Sequence, residues 1–175
     1  MIALPRIAAV LGTLLLLGGT AAAADATAPT ILITGANRGI GLELVRQSAG
    51  RGWNVIAAVR KPAEATELKA LAAANPRVAI EPLDVTDFAQ VDALAAKYKD
   101  RPIDVLVNNA GISGTMQDQN FGKHSDWEMY ERILRTNTIA PLKIAEAFLP
   151  NLLASGQKKL VNISSSEGSI GGMTH

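Results

Sequence analysis

Gly35, Gly39 and Gly41, in the stretch Thr34-Gly35-Ala36-Asn37-Arg38-Gly39-Ile40-Gly41, are spaced to hold a phosphate group. Gly35 permits a tight turn, while Gly39 and Gly41 let backbone approach a pyrophosphate and let a helix pack closely on a strand. The stretch follows the apolar run Ile31-Leu32-Ile33 and opens the amphipathic segment Leu42-Glu43-Leu44-Val45-Arg46. In a strand–turn–helix setting an anion sits at the helix N-terminus, where unpaired N–H groups and the positive end of the dipole favour it. Asn37, Arg38 and Ile40 lie between the glycines and belong to the same candidate site. The same spacing also suits an ordinary strand-to-helix turn, so the reading depends on what the other strand ends carry.

They carry matching chemistry. A carboxylate at the end of the second strand would bind the ribose diol of NAD, but Ala57-Ala58-Val59 supplies none and Arg60 follows. Arg60 with Arg38 can hold a 2′-phosphate, because guanidinium groups suit that anion and no carboxylate repels it. NADP is therefore expected in preference to NAD, with a pair of solvated arginines as the alternative. Asp84-Val85 ends the third strand, where the carboxylate can accept a hydrogen bond from an adenine amino group or simply cap a turn. Asn108-Asn109-Ala110-Gly111 ends the fourth strand. Its small residues let a cofactor lie against backbone, and its amides can fix the loops on either side.

The elements that position these residues alternate. After Ile31–Ile33 come a strand over 53–59, a helix over 63–74 stopped by Asn75-Pro76, and a strand over 78–83. Thr86 or Asp87 caps a helix running to about Tyr98. A strand over 103–107 and a fifth around Val161-Asn162-Ile163 complete the series, and Trp127, Ile133 and Leu134 are expected to form a packing face. Short apolar strands separated by helices predict an α/β fold, a doubly wound parallel sheet of the Rossmann type, with ligands at the carboxyl ends of the strands.

Composition narrows the alternatives. A chain of 175 residues that is 48% hydrophobic suits one globular domain, and a net charge of +1 gives no reason to expect nucleic acid as partner. The absence of cysteine excludes disulfides and thiolate zinc sites, and with only two histidines, one of them His124 in a polar loop, no metal site is expected. No Gly-x-x-x-x-Gly-Lys-Ser/Thr run exists, which removes a nucleotide-hydrolase P-loop, and Arg60 argues against a methyltransferase on the same fold.

Taken in order, Thr34-Gly-x-x-x-Gly-x-Gly41, Asp84-Val85, Asn108-Asn-Ala-Gly111, Asn137 and Asn162-Ile-Ser-Ser165 resemble the short-chain dehydrogenase/reductases, most of all their carbonyl-reductase-like members. The resemblance runs from about Thr30 to His175 and implies hydride transfer between a nicotinamide and a carbonyl or alcohol carbon of a small-molecule substrate. It makes Ser165 the residue that polarises the substrate oxygen and Asn137 the one that holds a water in the proton relay. Pro141 supports Asn137 locally: proline has no N–H for the carbonyl four residues back, so in a helix over 137–149 the Asn137 carbonyl is free to take a water. The resemblance also allows a homo-oligomer through that helix.

One family feature is missing. Tyr98 is followed four residues on by Pro102 and Tyr130 by Leu134, so the Tyr-x-x-x-Lys that the resemblance calls for after Ser165 does not occur through His175. The expectation is a truncated product with the sheet incomplete on its C-terminal side, inactive as it stands, or a non-catalytic nucleotide-binding relic. At the other end, Arg6, the apolar run from Ile7 to Leu17 and Ala22-x-Ala24 read as a secretory signal cleaved before Asp25. Residues 1–24 are thus expected to be a signal peptide, 25–29 a short lead and 30–175 the nucleotide-binding domain, with a periplasmic or secreted location. A retained membrane anchor, or a misassigned start codon and a cytoplasmic protein, are the alternatives.

Overall fold

The computed structural model describes residues 28–114 and 126–165. Its strands are β1 (Thr30–Thr34), β2 (Asn54–Val59), β3 (Val78–Pro82), β4 (Val105–Asn108) and β5 (Lys159–Asn162). The helices are α1 (Gly39–Gly50), α2 (Thr66–Ala74), α3 (Phe88–Lys97), α4 (Trp127–Leu134), α5 (Ala140–Ala147) and α6 (Leu149–Leu153). The strands form one sheet in the order β3-β2-β1-β4-β5, and every pairing is parallel. The order reverses beside β1, which makes the gap between the ends of β1 and β4 the switch point of a doubly wound fold.

The apolar runs of the strands follow from burial on both faces. Ile31, Ile33, Val55, Ala57, Val59, Val105 and Val107 face one core with Leu42 and Val45 of α1 and Leu68 of α2. Leu32, Ile56, Ala58 and Leu106 face the other, with Val91 and Leu94 of α3, Ile144 of α5 and Leu152 of α6. Leu32 and Ile33 are 0% exposed. Side chains of this kind contribute about 1.5–3 kcal/mol each when fully buried. A two-residue period that is apolar on both sides leaves no choice of strand face, only of neighbour. Asp104 helps set that neighbour: its carboxylate accepts the Thr30 N–H at 2.9 Å and its own N–H donates to the Thr30 carbonyl, which locks the start of β1 to β4.

Three expectations are revised. The helix over 137–149 is not one α-helix: a π turn occupies Arg135–Ile139, α5 follows, and α6 begins separately at Leu149. The break has a local cause, because Pro141 and Pro150 each withhold an N–H from the preceding turn. In the π turn the Ala140 N–H donates to the Arg135 carbonyl, five residues back. The helix over 63–74 starts with a short 3-10 turn at Pro62–Glu64 before α2. Trp127 and Leu134 are 68% and 55% exposed, so among the described residues they do not form a packing face. Residues 1–24, the cleavage point before Asp25 and His124 lie outside the described residues. Ala28 and Pro29, at the end of the expected lead, are tied to the start of β2, since Asn54 donates to both their carbonyls.

Candidate cofactor site

The glycine turn leaves β1 with Gly35 at φ +67°, a left-handed conformation that side chains disfavour. A Cβ there would also come within 2.9 Å of the Ala110 Cα. Gly39 has φ +55° and nothing within 4 Å of where its Cβ would stand, so that position opens onto free space. No side chain caps α1, whereas Asp87 caps α3 by accepting the Gln90 N–H and Asp126 caps α4 by accepting the Met129 N–H. Uncapped first-turn N–H groups beside open space and a positive dipole end make an anion site.

The loops after β1 and β4 are braced against each other. The Thr34 hydroxyl accepts the N–H groups of Asn109 and Ala110, both at 3.0 Å, and donates to the Val107 carbonyl. The Asn109 amide donates to the carbonyls of Thr34 at 2.9 Å and Gly35 at 3.1 Å. Gly41 packs beneath this brace, since a Cβ on it would lie 2.5 Å from the Asn109 Nδ2. These bonds satisfy buried loop groups internally and fix the shape of the crevice at the switch point.

A cleft of about 800 Å³ lies over these strand ends. Gly35, Asn37, Arg38, Gly39 and Ile40 line it from the glycine turn, and Ala110 and Gly111 join Asn109 from the end of β4. Arg60 with Lys61 and Glu64 borders it at the end of β2, and Asp84 with Val85 at the end of β3. Asp84 Oδ1 accepts both the N–H and the hydroxyl of Thr86, at 2.9 and 2.7 Å. Burial on its own would raise the Asp84 pKa. The two Thr86 hydrogen bonds, and then the charges of Arg60 and Arg135, outweigh it and hold the carboxyl below its ordinary value. Asp84 is therefore an acceptor at neutral pH and also the turn-capping residue that its sequence position allows.

Two of the expected residues are not among those lining the cleft. Gly41 serves the close packing also expected of it, the approach of α1 to the β4 loop. Asn108 is 5% exposed and turns toward α5 and β5, donating to the Pro141 carbonyl at 3.2 Å and to Asn162 Oδ1 at 2.9 Å. The pleat explains this: Asn108 shares the face of Leu106, while Asn109 has left the strand.

Asn137 lies in the π turn, and both ends of its amide are engaged by Ile112: Oδ1 accepts the Ile112 N–H at 3.0 Å and Nδ2 donates to its carbonyl at 2.8 Å. A Cβ on Gly111 would stand 3.4 Å from the Asn137 Oδ1, so this amide abuts the cofactor loop. Ser165 is exposed beyond the end of β5, outside the residues that line the cleft, to which that strand end contributes Ile163. Among the described residues no group of three or more His, Cys, Asp or Glu is placed to hold a metal ion.

Sequence reasoning missed Thr34 as the hydroxyl bridging β1 and β4, and Arg132, Arg135 and Thr136 as lining residues. Thr34 was within reach of inference as the polar last residue of a buried apolar strand. The arginines gave no such signal, because the loop that they border is distant in sequence.

Comparison with known proteins agrees with this geometry. A family model described as short chain dehydrogenase matches residues 29–174. (+)-Neomenthol dehydrogenase of Arabidopsis thaliana is 34% identical over 168 residues, covering 84% of this chain and 57% of the relative. The NADPH-bound carbonyl reductase from chicken fatty liver superposes with a TM-score of 0.74 at 36% identity, covering 82% of this chain and 62% of that one. A short-chain dehydrogenase/reductase from Burkholderia multivorans with bound NADP superposes with a TM-score of 0.72 at 34% identity, again over 82% of this chain and 62% of that one. The chain thus spans less than two thirds of the length of each of these proteins.

Proposed function

The chain belongs to the short-chain dehydrogenase family, and from that premise we propose that its cleft binds NADP(H) for the reduction of a carbonyl, or oxidation of an alcohol, on a small molecule. The observation that carries the reading is that the uncapped N-terminus of α1 and Arg60, directly after a β2 whose own last residues are Ala57, Ala58 and Val59, open onto the same cleft. The first-turn N–H groups of α1 take the pyrophosphate. Arg60 and Arg38 take the 2′-phosphate, Asp84 accepts from the adenine amino group, and the Asn109–Gly111 backbone lies along the remainder. The two NADP(H)-bound neighbours support this choice of cofactor over NAD. The bound nicotinamide supplies or accepts the hydride.

The chain's own residues supply the rest of the site. The Asn137 side-chain amide is used by Ile112, so a relay water at this residue is assigned to its backbone carbonyl rather than to its side chain. Ser165 is the donor to the substrate oxygen. Neither tyrosine suits proton transfer: the Tyr98 hydroxyl is buried against Glu81 at 2.6 Å, and neither Tyr98 nor Tyr130 has a lysine four residues on. A nucleotide-binding chain without turnover of its own is the second reading. Residues 1–24 support export as the location, by the signal pattern already described.

The test is titration of the wild-type chain and Arg60→Asp with NADPH and with NADH. Removing a charge-assisted contact worth about 1.5–3 kcal/mol, and adding repulsion, should weaken NADPH by roughly tenfold or more while NADH changes little. An unchanged preference removes Arg60 from the 2′-phosphate. A screen of ketones and aldehydes with NADPH then separates the two readings: turnover supports the oxidoreductase, and tight nucleotide binding without turnover supports the second.

A further inference from the structure

Arg135 is the first residue of the π turn and the neighbour but one of Asn137, yet its side chain reaches the loop after β3. Its Nε and Nη2 both donate to the Thr86 carbonyl, at 3.3 and 2.9 Å, and its guanidinium lies 4.6 Å from the centroid of the Phe88 ring. Thr86 in turn gives its N–H and hydroxyl to Asp84, and Arg135 itself lines the cleft. Two residues of one short turn therefore grip both strand-end loops, Arg135 the one after β3 and Asn137 the one after β4.

We infer that Arg135 is a positioning residue for the adenine half of the cofactor, clamping the Asp84–Thr86 loop to the turn that carries Asn137. The inference rests on the cofactor reading above and adds to it a residue that touches neither the 2′-phosphate nor the pyrophosphate. The physical basis is the fork of the guanidinium. Two N–H groups converge on one carbonyl while the guanidinium carbon lies over an aromatic ring, so the side chain is held at three points rather than swinging free. A lysine can keep one hydrogen bond and the charge but not the fork. Because both NADPH and NADH carry the same adenine, loosening this clamp weakens both, whereas loss of a 2′-phosphate contact weakens only one.

The experiment titrates NADPH and NADH, by nicotinamide fluorescence, into the full chain as wild type, Arg135→Gln, Arg135→Lys and Phe88→Leu. Arg135→Gln is expected to weaken both nucleotides by about fivefold to tenfold, the scale of one ordinary hydrogen bond because the contact acts on the nucleotide only through the loop, with their ratio unchanged. Arg135→Lys should recover part of the loss, and Phe88→Leu should show a smaller loss of the same kind. Arg135 is exposed, so the thermal midpoint without ligand should barely move. Wild-type affinity in Arg135→Gln overturns the inference alone, as does a loss confined to NADPH, which would make Arg135 a phosphate contact. If Arg135→Gln weakens binding only in step with a loss of folding, and Phe88→Leu binds as wild type, the clamp is likewise refuted. A wild-type chain that binds neither nucleotide overturns the cofactor reading itself, and this inference with it.

Discussion

Replacing Gly41 with alanine should destabilise the fold even though alanine is the better helix former. Gly41 lies in the first turn of α1, and a Cβ there would stand 2.5 Å from the Asn109 Nδ2 and closer still to the Gly35 carbonyl oxygen. Neither neighbour is free to yield. The Asn109 amide is held by the Thr34 and Gly35 carbonyls, and Gly35 by its left-handed turn. Overpacking costs about 1–3 kcal/mol, and displacing the Asn109 amide from its acceptors costs about 1–3 kcal/mol more. The helix-propensity gain of Gly→Ala offsets only about 0.5–1 kcal/mol. The net is a destabilisation of about 1–5 kcal/mol, centred near 3 kcal/mol. At the centre of that range the thermal midpoint falls by roughly 6–12 °C for a chain of this size. Gly50, in the last turn of the same helix, has nothing within 4 Å of its Cβ position and no positive φ. Gly50→Ala should be neutral or stabilising by up to about 1 kcal/mol. Urea unfolding followed by far-ultraviolet circular dichroism measures both. If Gly41→Ala is as stable as Gly50→Ala, the close approach of α1 to the β4 loop is not what requires glycine at this position.

Two further outcomes can be checked without substrate. Tyr98 is buried, and burial followed by its hydrogen bond to the Glu81 carboxylate pushes its pKa well above the ordinary tyrosine value. The native state therefore keeps this proton after the unfolded state has lost it, so stability should fall as pH rises above about 10, with a slope of up to about 1.4 kcal/mol per pH unit. Urea midpoints at rising pH should show that extra slope in the wild type and not in Tyr98→Phe; parallel curves would refute it. Mass spectrometry of the protein isolated from cells should find Asp25 as the first residue, and an intact Met1 would count against cleavage.

The order of strands and helices was legible because each strand is a short apolar run bounded by glycine, proline or a charged pair. In β1, β2 and β4 burial on both faces leaves no polar alternation to confuse the pattern, whereas β3 and β5, at the edges, are partly or wholly exposed. The glycine turn, Arg60 and Asp84 were legible for a different reason: each stands directly after a strand, and the fold brings all such positions to one edge. What stayed hidden depends on contacts that sequence spacing does not encode. Asn108 and Asn109 look equivalent as neighbours, yet the pleat sends the first toward α5 and β5 while the second crosses to Gly35. Arg135 meets the carbonyl of Thr86, and a backbone acceptor has no residue signature. The stripe of Trp127, Ile133 and Leu134 has the spacing of a packing face, but spacing reports amphipathicity and not whether something covers it.

Many polar side chains around the cleft are used on its own backbone. Thr34, Asn109 and Asn137 each direct their hydrogen-bonding groups at loop backbone, and Thr86 with Arg135 does the same around Asp84. These polar side chains close off the carbonyls and N–H groups that a loop would otherwise have to offer to water. What they leave uncovered is backbone: the first-turn N–H groups of α1 beside Gly39, which no side chain caps. Binding groups made of backbone in a braced frame lose little conformational freedom when a ligand arrives, because that ordering has already taken place on folding. Changes to the bracing residues should therefore act on affinity through the shape of the cleft and scale alike for every nucleotide that fits it. Arg38 and Arg60, the side chains proposed for the 2′-phosphate, are the ones whose replacement should separate NADPH from NADH.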